Sequence, residues 1–401
     1  MALALLAARA WGQDAQLIER IELQGAKRTR VETVLSLLPR VPPARFDDAE
    51  LDDLARRLSN LTIFDSVEVE RRERVLHVRV REKWSVIPEF SLGTGKTAAD
   101  LALELGVSDY NFLGRAALLS LSASREQRGF NFELGLRSHL YARRRWSTGT
   151  TIGYVTTGYR FDDGQQWLKT TGTITGWLGS PPLGSPYLSY QTGYAVLYER
   201  MEQARGADTP PNGGGFLLTS GLTFDRYRWH DIAPKGVRVF SNAGPGFFLP
   251  RSQPRHFVEL LLRAAYPITS RLVIAMRIAG SVRARGNPNA GSLVGSFEGV
   301  RGLEDSLYRN WAQVFANVEL RQVLLAYKRI ALQAVLFSDV AQFQRMDADG
   351  SRGDSVFALS SGAGLRILPT FLAAGVLRLD LARLLSPHET WLPLFGVTQY
   401  F

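Results

Sequence analysis

The chain has 401 residues, a formal net charge of +10 and no cysteine. Without cysteine it forms no disulfide and no thiolate metal site, and thiol redox chemistry is excluded. No apolar run reaches the ~18 residues that a transmembrane helix needs. The positive charge comes mostly from arginines that alternate with apolar residues. This spacing favours a polar inner surface or contact with anionic lipid headgroups, and it argues against nucleic-acid binding.

Residues 1–15 are predicted to be a secretory signal peptide. An apolar run covers residues 1–8, and small residues follow at Ala10 and Gly12, as at the end of such a signal. Arg9 interrupts the run, and no basic residue precedes it. We therefore expect a truncated signal, with further sequence upstream.

Residues 16–87 are predicted to form an α+β domain with the order β-α-α-β-β. Residues 17–23 alternate between polar and apolar side chains, which is typical of a strand. Thr29 and Glu32 have the spacing of a capping box. They predict the start of a helix over residues 31–38, which prolines end.

The second half of this domain is predicted to contain a helix and two strands. Residues 47–50 have the pattern of a helix cap, and leucines and an alanine then recur at helical spacing, marking a buried face. The residues of that face are Leu51, Leu54, Ala55, Leu58 and Leu61. Residues 66–70 and 75–80 are predicted strands, separated by a charged turn.

Residues 88–401 are predicted to form a transmembrane antiparallel β-barrel of about 16 strands, because each strand needs only about ten residues to cross a bilayer. Segments 131–140, 271–283 and 311–321 place apolar side chains on one side of the strand and their charged side chains on the other. A charge on the lipid side costs ~2–4 kcal/mol near the midplane, so the charged set is expected to face a polar lumen. A large soluble β-sandwich is the alternative that composition alone leaves open.

Fragments of enzyme motifs are present but incomplete. Residues 95–97 resemble the end of a phosphate-binding loop, yet Phe90 stands where that loop needs a glycine. Residues 347–350 begin like a calcium loop without its later ligands, and the 5 histidines lack metal-binding spacing. The sequence therefore predicts neither an enzyme nor a bound cofactor or metal.

Two short motifs follow one another within the predicted barrel. The first is Val300, Arg301, Gly302 and Leu303, and the second is Phe337, Ser338 and Asp339. They resemble the (V/I)RG(F/Y) loop and the F-x-D strand of the POTRA-barrel superfamily of outer-membrane proteins, which includes the BamA/TamA assembly factors and the two-partner-secretion transporters. The resemblance implies that the loop enters the lumen, that Arg301 pairs with Asp339, and that Glu319 contributes from a neighbouring strand.

Other segments resemble the same superfamily. Residues 60–67 and the domain that contains them are similar to a POTRA domain, and residues 109–114, 316–321, 362–366 and 377–382 are similar to barrel strands. The resemblance implies a client-binding strand composed of Ser66, Val67, Glu68, Val69 and Glu70, which would accept an extended polypeptide by strand addition. It also implies a carboxy-terminal β-signal composed of Phe395, Val397 and Phe401.

The first functional hypothesis is a non-enzymatic outer-membrane insertase or translocase with its POTRA domain in the periplasm. Its expected partners are unfolded or β-rich client polypeptides, outer-membrane lipids and accessory periplasmic or lipoprotein subunits. The alternatives are a two-partner-secretion transporter of one exoprotein, and a passive barrel whose small domain is only an anchor. Residues 13–16 leave no room for the plug helix usual in secretion transporters, which disfavours the first alternative.

Overall fold

A computed structural model describes residues 15–93, 102–126, 129–141, 146–160, 166–205, 212–230, 232–249, 253–284, 291–295, 299–303, 308–347 and 349–397. The signal-peptide prediction lies almost entirely outside these residues. An α+β domain begins the described chain and a closed antiparallel β-barrel follows it.

The amino-terminal domain contains two helices and five short strands. The helices are α1 (Val31–Leu37) and α2 (Asp48–Asn60), and the strands are β1 (Gln16–Ile18), β2 (Arg20–Gln24), β3 (Ala44–Phe46), β4 (Phe64–Arg72) and β5 (Val75–Glu82). A three-stranded sheet has the order β2-β5-β4, with β5 parallel to β2 and antiparallel to β4. Both predicted helices and the last two predicted strands are present, but the observed order is β-β-α-β-α-β-β and not β-α-α-β-β. The first predicted strand is divided into β1 and β2, and the unpredicted strand β3 lies between the helices and pairs with β1.

The core of this domain lies between the sheet and the two helices. Leu54 and Leu58 of α2 are fully buried there, against Leu76 and Val78 of β5. Because α2 turns once in 3.6 residues, its leucines share one face and bury it. Asp47 caps α2 with a full capping box to Glu50, as predicted.

The predicted capping box at the start of α1 is wrong. Arg30 is the N-cap residue and its side chain makes no capping hydrogen bond. The Thr29 N–H donates instead to Glu82 at 2.7 Å, and its hydroxyl accepts from Asn111 at 2.9 Å. Tertiary contacts of Thr29 have therefore replaced the local cap.

The barrel wall consists of nineteen strand segments in the described chain. These are β6 (Val86–Gly93), β7 (Ala102–Phe112), β8 (Ala117–Glu126), β9 (Gly129–Tyr141), β10 (Trp146–Arg160), β11 (Gln166–Gly179), β12 (Leu188–Arg205), β13 (Gly213–Asp225), β14 (Gly236–Gly244), β15 (Gly246–Phe248), β16 (Gln253–Pro254), β17 (Phe257–Pro267), β18 (Leu272–Arg283), β19 (Ser292–Val294), β20 (Tyr308–Tyr327), β21 (Ile330–Met346), β22 (Arg352–Pro369), β23 (Leu377–Ser386) and β24 (Thr390–Gly396). Segments β14 and β15 both pair with β13. On their other side, β14 pairs with β17 and β15 pairs with β16. Segments β18 and β19 both pair with β20. Within the described residues the wall therefore has sixteen strand positions, in agreement with the predicted number.

The predicted alternation is confirmed in the barrel. On β18 and β20 the apolar residues Met276 and Val318 lie exposed on the outer surface, whereas Arg277 and Glu319 are buried inside. On β9 the inward Glu133 is exposed to the lumen. The charged side chains of these strands thus lie on the inner surface, where they are packed beside β20 and exposed beside β9. No helix among the described residues is both long enough and apolar enough to cross a membrane.

The barrel closes through a short seam between its first and last strands. β24 pairs with β6 over three residue pairs, from Leu394 opposite Gly93 to Gly396 opposite Ser91. Phe395 and Phe90 pack edge to face across this seam, with ring centroids 5.8 Å apart. The neighbouring pair of β23 and β24 has seven residue pairs, so the seam is the less extensive connection.

The amino-terminal domain contacts the turns at one end of the barrel, called here the domain-facing end. Arg57 of α2 donates to the Pro186 carbonyl at 2.7 Å, and Arg56 donates to the Asp225 carbonyl at 3.2 Å.

On the other side of the domain, Thr33 of α1 donates to the Gly114 carbonyl at 2.9 Å. The Trp84 N–H, in the link between domain and barrel, donates to Phe371 at 2.7 Å. Contacts with four turns fix the domain at this end.

Asp53 positions the two arginines of α2 that reach the barrel. Its carboxylate accepts from Arg56 and from Arg57, each at 2.7 Å. Burial would raise the pKa of Asp53, but the charge and hydrogen bond of Arg57, with those of Arg56, outweigh burial and lower the pKa below its usual 3.8. A carboxyl group whose pKa is depressed by folding stabilises the fold above its unfolded-state pKa and loses that effect as the pH falls through its folded-state pKa.

We therefore expect Asp53→Asn to weaken docking of the domain at neutral pH and to remove part of its acid sensitivity. In the unchanged chain, protease cleavage of the Lys83–Ser85 link should increase as the pH is lowered below about 4. The variant should be cleaved more readily at pH 7 and should show a smaller further increase in acid. Asp52→Asn, an exposed neighbour on the same helix, is the control. An Asp53→Asn chain with the wild-type pH profile would contradict this role.

Candidate functional site: a lumen loop and its buried charge network

The loop between β19 and β20 folds into the barrel. Val300 and Leu303 are fully buried and pack on an apolar cluster of the inner wall that includes Phe343 and Leu384. Gly302 has φ +90°, a left-handed conformation that glycine adopts without steric cost. These two apolar anchors hold Arg301 between them against the inner wall.

Arg301 contacts Asp339 through three hydrogen bonds. Its Nε donates to Asp339 Oδ2 at 2.8 Å and its Nη2 donates to Oδ1 at 2.8 Å. The Arg301 backbone N–H also donates to Oδ2, at 3.0 Å. The two side-chain bonds form the bidentate arrangement that fits a guanidinium to a carboxylate. Both residues are completely buried, so the contact fixes the position of the loop.

Further charged side chains surround this pair. Arg301 Nη1 donates to Glu319 at 2.6 Å and lies 3.7 Å from Asp380. Arg321 donates to Glu319 at 2.7 Å, and Arg366 donates to Asp380 at 3.1 Å. The network therefore contains three arginines and three carboxylates, whose formal charges cancel. Each of the six is at most 3% exposed, and such burial is tolerated because every charge has an opposite partner.

Phe337 completes the set of side chains that contact Arg301. Its ring lies beneath the Arg301 guanidinium, 3.5 Å from the ring centroid, a cation–π arrangement. Phe337 lies opposite Gly362 of β22, and a Cβ at Gly362 would be 2.4 Å from the ring. A Cβ at Gly364 would be 2.0 Å from an Asp380 oxygen. The two glycines of β22 thus leave the space that Phe337 and Asp380 occupy.

Asn317 joins the loop to the next part of the wall. Its amide donates to the Gly299 carbonyl at 2.7 Å, and its oxygen accepts from Arg277 at 2.8 Å. Asn317 lies opposite Asp339 in the register of β20 and β21. Two residues that face each other on β20 and β21, Asn317 and Asp339, therefore both hold the loop.

The other residues singled out from the sequence lie away from this network. Ser66, Val67, Glu68, Val69 and Glu70 are all in β4, whose outer edge has no strand partner among the described residues. Phe395 and Val397 lie at the seam and just after it. Phe401 is outside the described residues.

Sequence reasoning did not assign Arg321, Arg366, Asp380 or Asn317 to the site. All four belong to segments already noted as similar to barrel strands: Asn317 and Arg321 to 316–321, Arg366 to 362–366, and Asp380 to 377–382. All four occupy the polar side of an alternating strand. Their place on the polar side of a strand predicted that they face the lumen, but it did not predict which of the inward charges contact one another.

Several solved structures share this arrangement of barrel and domain. BamA from Haemophilus ducreyi lacking POTRA domains 1–3 is 16% identical, with a TM-score of 0.55, over 96% of this chain and 84% of that one. CdiB from Acinetobacter baumannii is 13% identical, with a TM-score of 0.64, over 96% and 74%. CdiB from Escherichia coli is 12% identical, with a TM-score of 0.55, over 98% and 92%.

No family model matches the chain, and no curated protein matches it either. The class defined by the fold is a sixteen-strand antiparallel barrel with an inward loop and an α+β domain at one end, counted over the described residues. It is the fold of the BamA and CdiB structures. At the level of the fold, the resemblance inferred from the motifs is thereby confirmed.

Proposed function

We propose that this chain is an outer-membrane insertase or translocase for β-rich client polypeptides. In this proposal the barrel spans the outer membrane, surrounded by lipid, and residues 16–87 are a POTRA domain in the periplasm. The observation that carries the proposal is the Arg301 loop, bound by buried carboxylates inside a barrel with the fold of BamA and CdiB. Accessory periplasmic or lipoprotein subunits are partners consistent with this role.

The amino-terminal domain is suited to receive an extended chain at β4. Glu68 and Glu70 point to the solvent side of the sheet, while the backbone groups of the outer edge have no strand partner among the described residues. An added strand would bond to main-chain groups, which every client sequence possesses. Such binding tolerates many sequences, as a general client receptor requires.

The edge strand also leads to the barrel. A cavity of about 200 Å³ lies where β4 begins, between Ser66 and Val67 on the domain and Trp229 and Ile330 at the barrel turns. A client strand added to β4 would therefore end at the domain-facing end of the barrel. The loop anchored on β20 to β23 fills one side of the lumen and leaves the side beside β9 open, which supports passage or release along that side.

Photocrosslinking tests this receptor role. Photoreactive residues at Glu68 and Glu70 should capture unfolded outer-membrane proteins, because these positions border the free edge. Arg79 is the matched control: it lies opposite Glu68 on the same solvent face, but on the central strand β5. A probe at the fully buried Leu54 should capture nothing. Equal labelling at Glu68 and Arg79 would contradict strand addition.

A second candidate is export of one dedicated exoprotein by two-partner secretion. The TM-score of 0.64 to CdiB from Acinetobacter baumannii favours it. The range of captured clients separates the two roles, since an insertase captures many outer-membrane proteins and a dedicated transporter captures one. A passive barrel with an anchor domain would conduct steadily in planar bilayers and give no crosslinks.

A further inference from the structure

Three arginines lie side by side on the inner wall, in a row that continues to the loop site. Arg238 of β14 is opposite Arg263 of β17, and Arg263 is opposite Arg277 of β18. Residues opposite one another in antiparallel strands project from the same face of the sheet, so the three side chains are neighbours. Like charges in such positions repel and destabilise the pairing.

The two outer arginines of this row have partners, and the central one does not. Arg277 donates to Asn317 at 2.8 Å and covers the Phe315 ring, and Arg238 lies 3.9 Å from an Asp225 oxygen. Arg263 has a buried Nε without a hydrogen-bond partner, and no described carboxylate forms an ion pair with it. A buried donor without a partner costs free energy, which a bound anion would recover.

A cavity adjoins this unpaired arginine. Its volume is about 460 Å³, and it lies between α2 and the inner wall at the domain-facing end of the barrel. Arg56 and Arg57 line it from the domain, while Arg238 and Arg263 line it from the wall. Among the described lining residues Asp225 is the one acid, and Asp53, behind the lining, accepts from Arg56 and Arg57, so the four bases exceed these two carboxylates by two charges. A site with this balance attracts anions.

We propose that this cavity binds acidic side chains of an extended polypeptide that enters the barrel, with Arg263 as the central contact. Carboxylate groups are favoured ligands for a planar guanidinium. The cavity adjoins the inner face of the wall and lies beneath the domain, a position that favours a polypeptide entering the barrel over a lipid headgroup. That the ligand is a polypeptide rests on the proposed function. That the site binds an anion rests on the arginine row and on the cavity that adjoins it.

Peptide binding to the purified full chain in detergent tests the site. The probe is a fluorescein-labelled peptide of alternating valine and glutamate, compared by anisotropy with a peptide of alternating valine and glutamine. We expect the glutamate peptide to bind about tenfold more tightly, as one charge-assisted contact provides. Arg263→Gln should remove this preference, Arg263→Lys should keep part of it, and inorganic phosphate should compete. Arg271→Gln, at an exposed turn outside the cavity, should bind as wild type.

Thermal stability provides a second readout. Without peptide, Arg263→Gln should unfold at a higher temperature than wild type, because it removes a like charge and an unpaired donor from the row. A variant that remains heat-modifiable on gels is folded, so loss of its peptide preference then reports the site. Equal binding of the two peptides by wild type, or an unchanged preference in Arg263→Gln, would overturn the proposal.

The outcome for this site is separable from the outcome for the proposed function. If clients crosslink at Glu68 while neither peptide shows a charge preference, the function stands and the acidic site is wrong. If the Arg263-dependent preference is found while no client crosslinks at β4, the anion site stands and the receptor role is wrong.

Discussion

Arg301→Ala is expected to leave the barrel assembled but to free the lumen loop, raise pore conductance and reduce client handling. The change leaves three buried carboxylates with two arginines, Arg321 and Arg366. Breaking a buried ion pair costs ~3–5 kcal/mol. The barrel should persist, because its wall is held by backbone hydrogen bonds in a closed ladder. Conductance in planar bilayers and heat-modifiable migration on gels measure the two effects separately.

A double-mutant cycle tests the contact between Arg301 and Asp339. Asp339→Ala should have the smaller effect, since Arg301 keeps its bond to Glu319. The double variant should be no worse than Arg301→Ala alone, because residues that share one contact couple. Glu199→Ala is the control: Glu199 is buried in a separate group with Lys169 and Arg255, so its effect should add to that of Arg301→Ala. Simple addition for Arg301 and Asp339 would show that the two side chains do not act together.

Gly362→Ala is expected to disrupt the site from the opposite strand and to lower the yield of folded barrel. A Cβ at this position would lie 2.2 Å from the Leu381 carbonyl and 2.4 Å from the Phe337 ring. The carbonyl belongs to the paired strand β23, so the strands must separate locally to relieve the contact. Overpacking typically costs ~1–3 kcal/mol, and here it also displaces the Phe337 ring that contacts Arg301. The fraction of heat-modifiable protein after assembly measures this effect.

A glycine with free space is the matched control for this substitution. Gly172 of β11 has no atom within 4 Å of an added Cβ, and Gly172→Ala should assemble as wild type. Adding Phe337→Ala to Gly362→Ala removes the ring contact but not the carbonyl contact, so it should restore assembly only in part. Equal assembly of the Gly362 and Gly172 variants would show that the strands adjust without cost.

The fold could be predicted from the sequence because its signals are local. Period-two alternation on strands such as β18 and β20 requires one face towards lipid and one towards the lumen, whatever the neighbouring strands are. The helix α2 likewise follows from its cap at Asp47 and its leucine spacing. The cap predicted at Thr29 failed, because Glu82 and Asn111 come from distant parts of the chain and take its hydrogen bonds.

By itself, therefore, the sequence determined the order of the domain, the barrel and its number of strands, and the motif residues Arg301 and Asp339. Only the tertiary structure decided which inward charges meet. Arg366 and Asp380 join the loop network, and Arg263 stands unpaired beside the α2 cavity, because strand register and barrel closure place them there. Alternation specifies the face of a strand on which a side chain lies, but the neighbour across the strand depends on register, which long-range pairing sets.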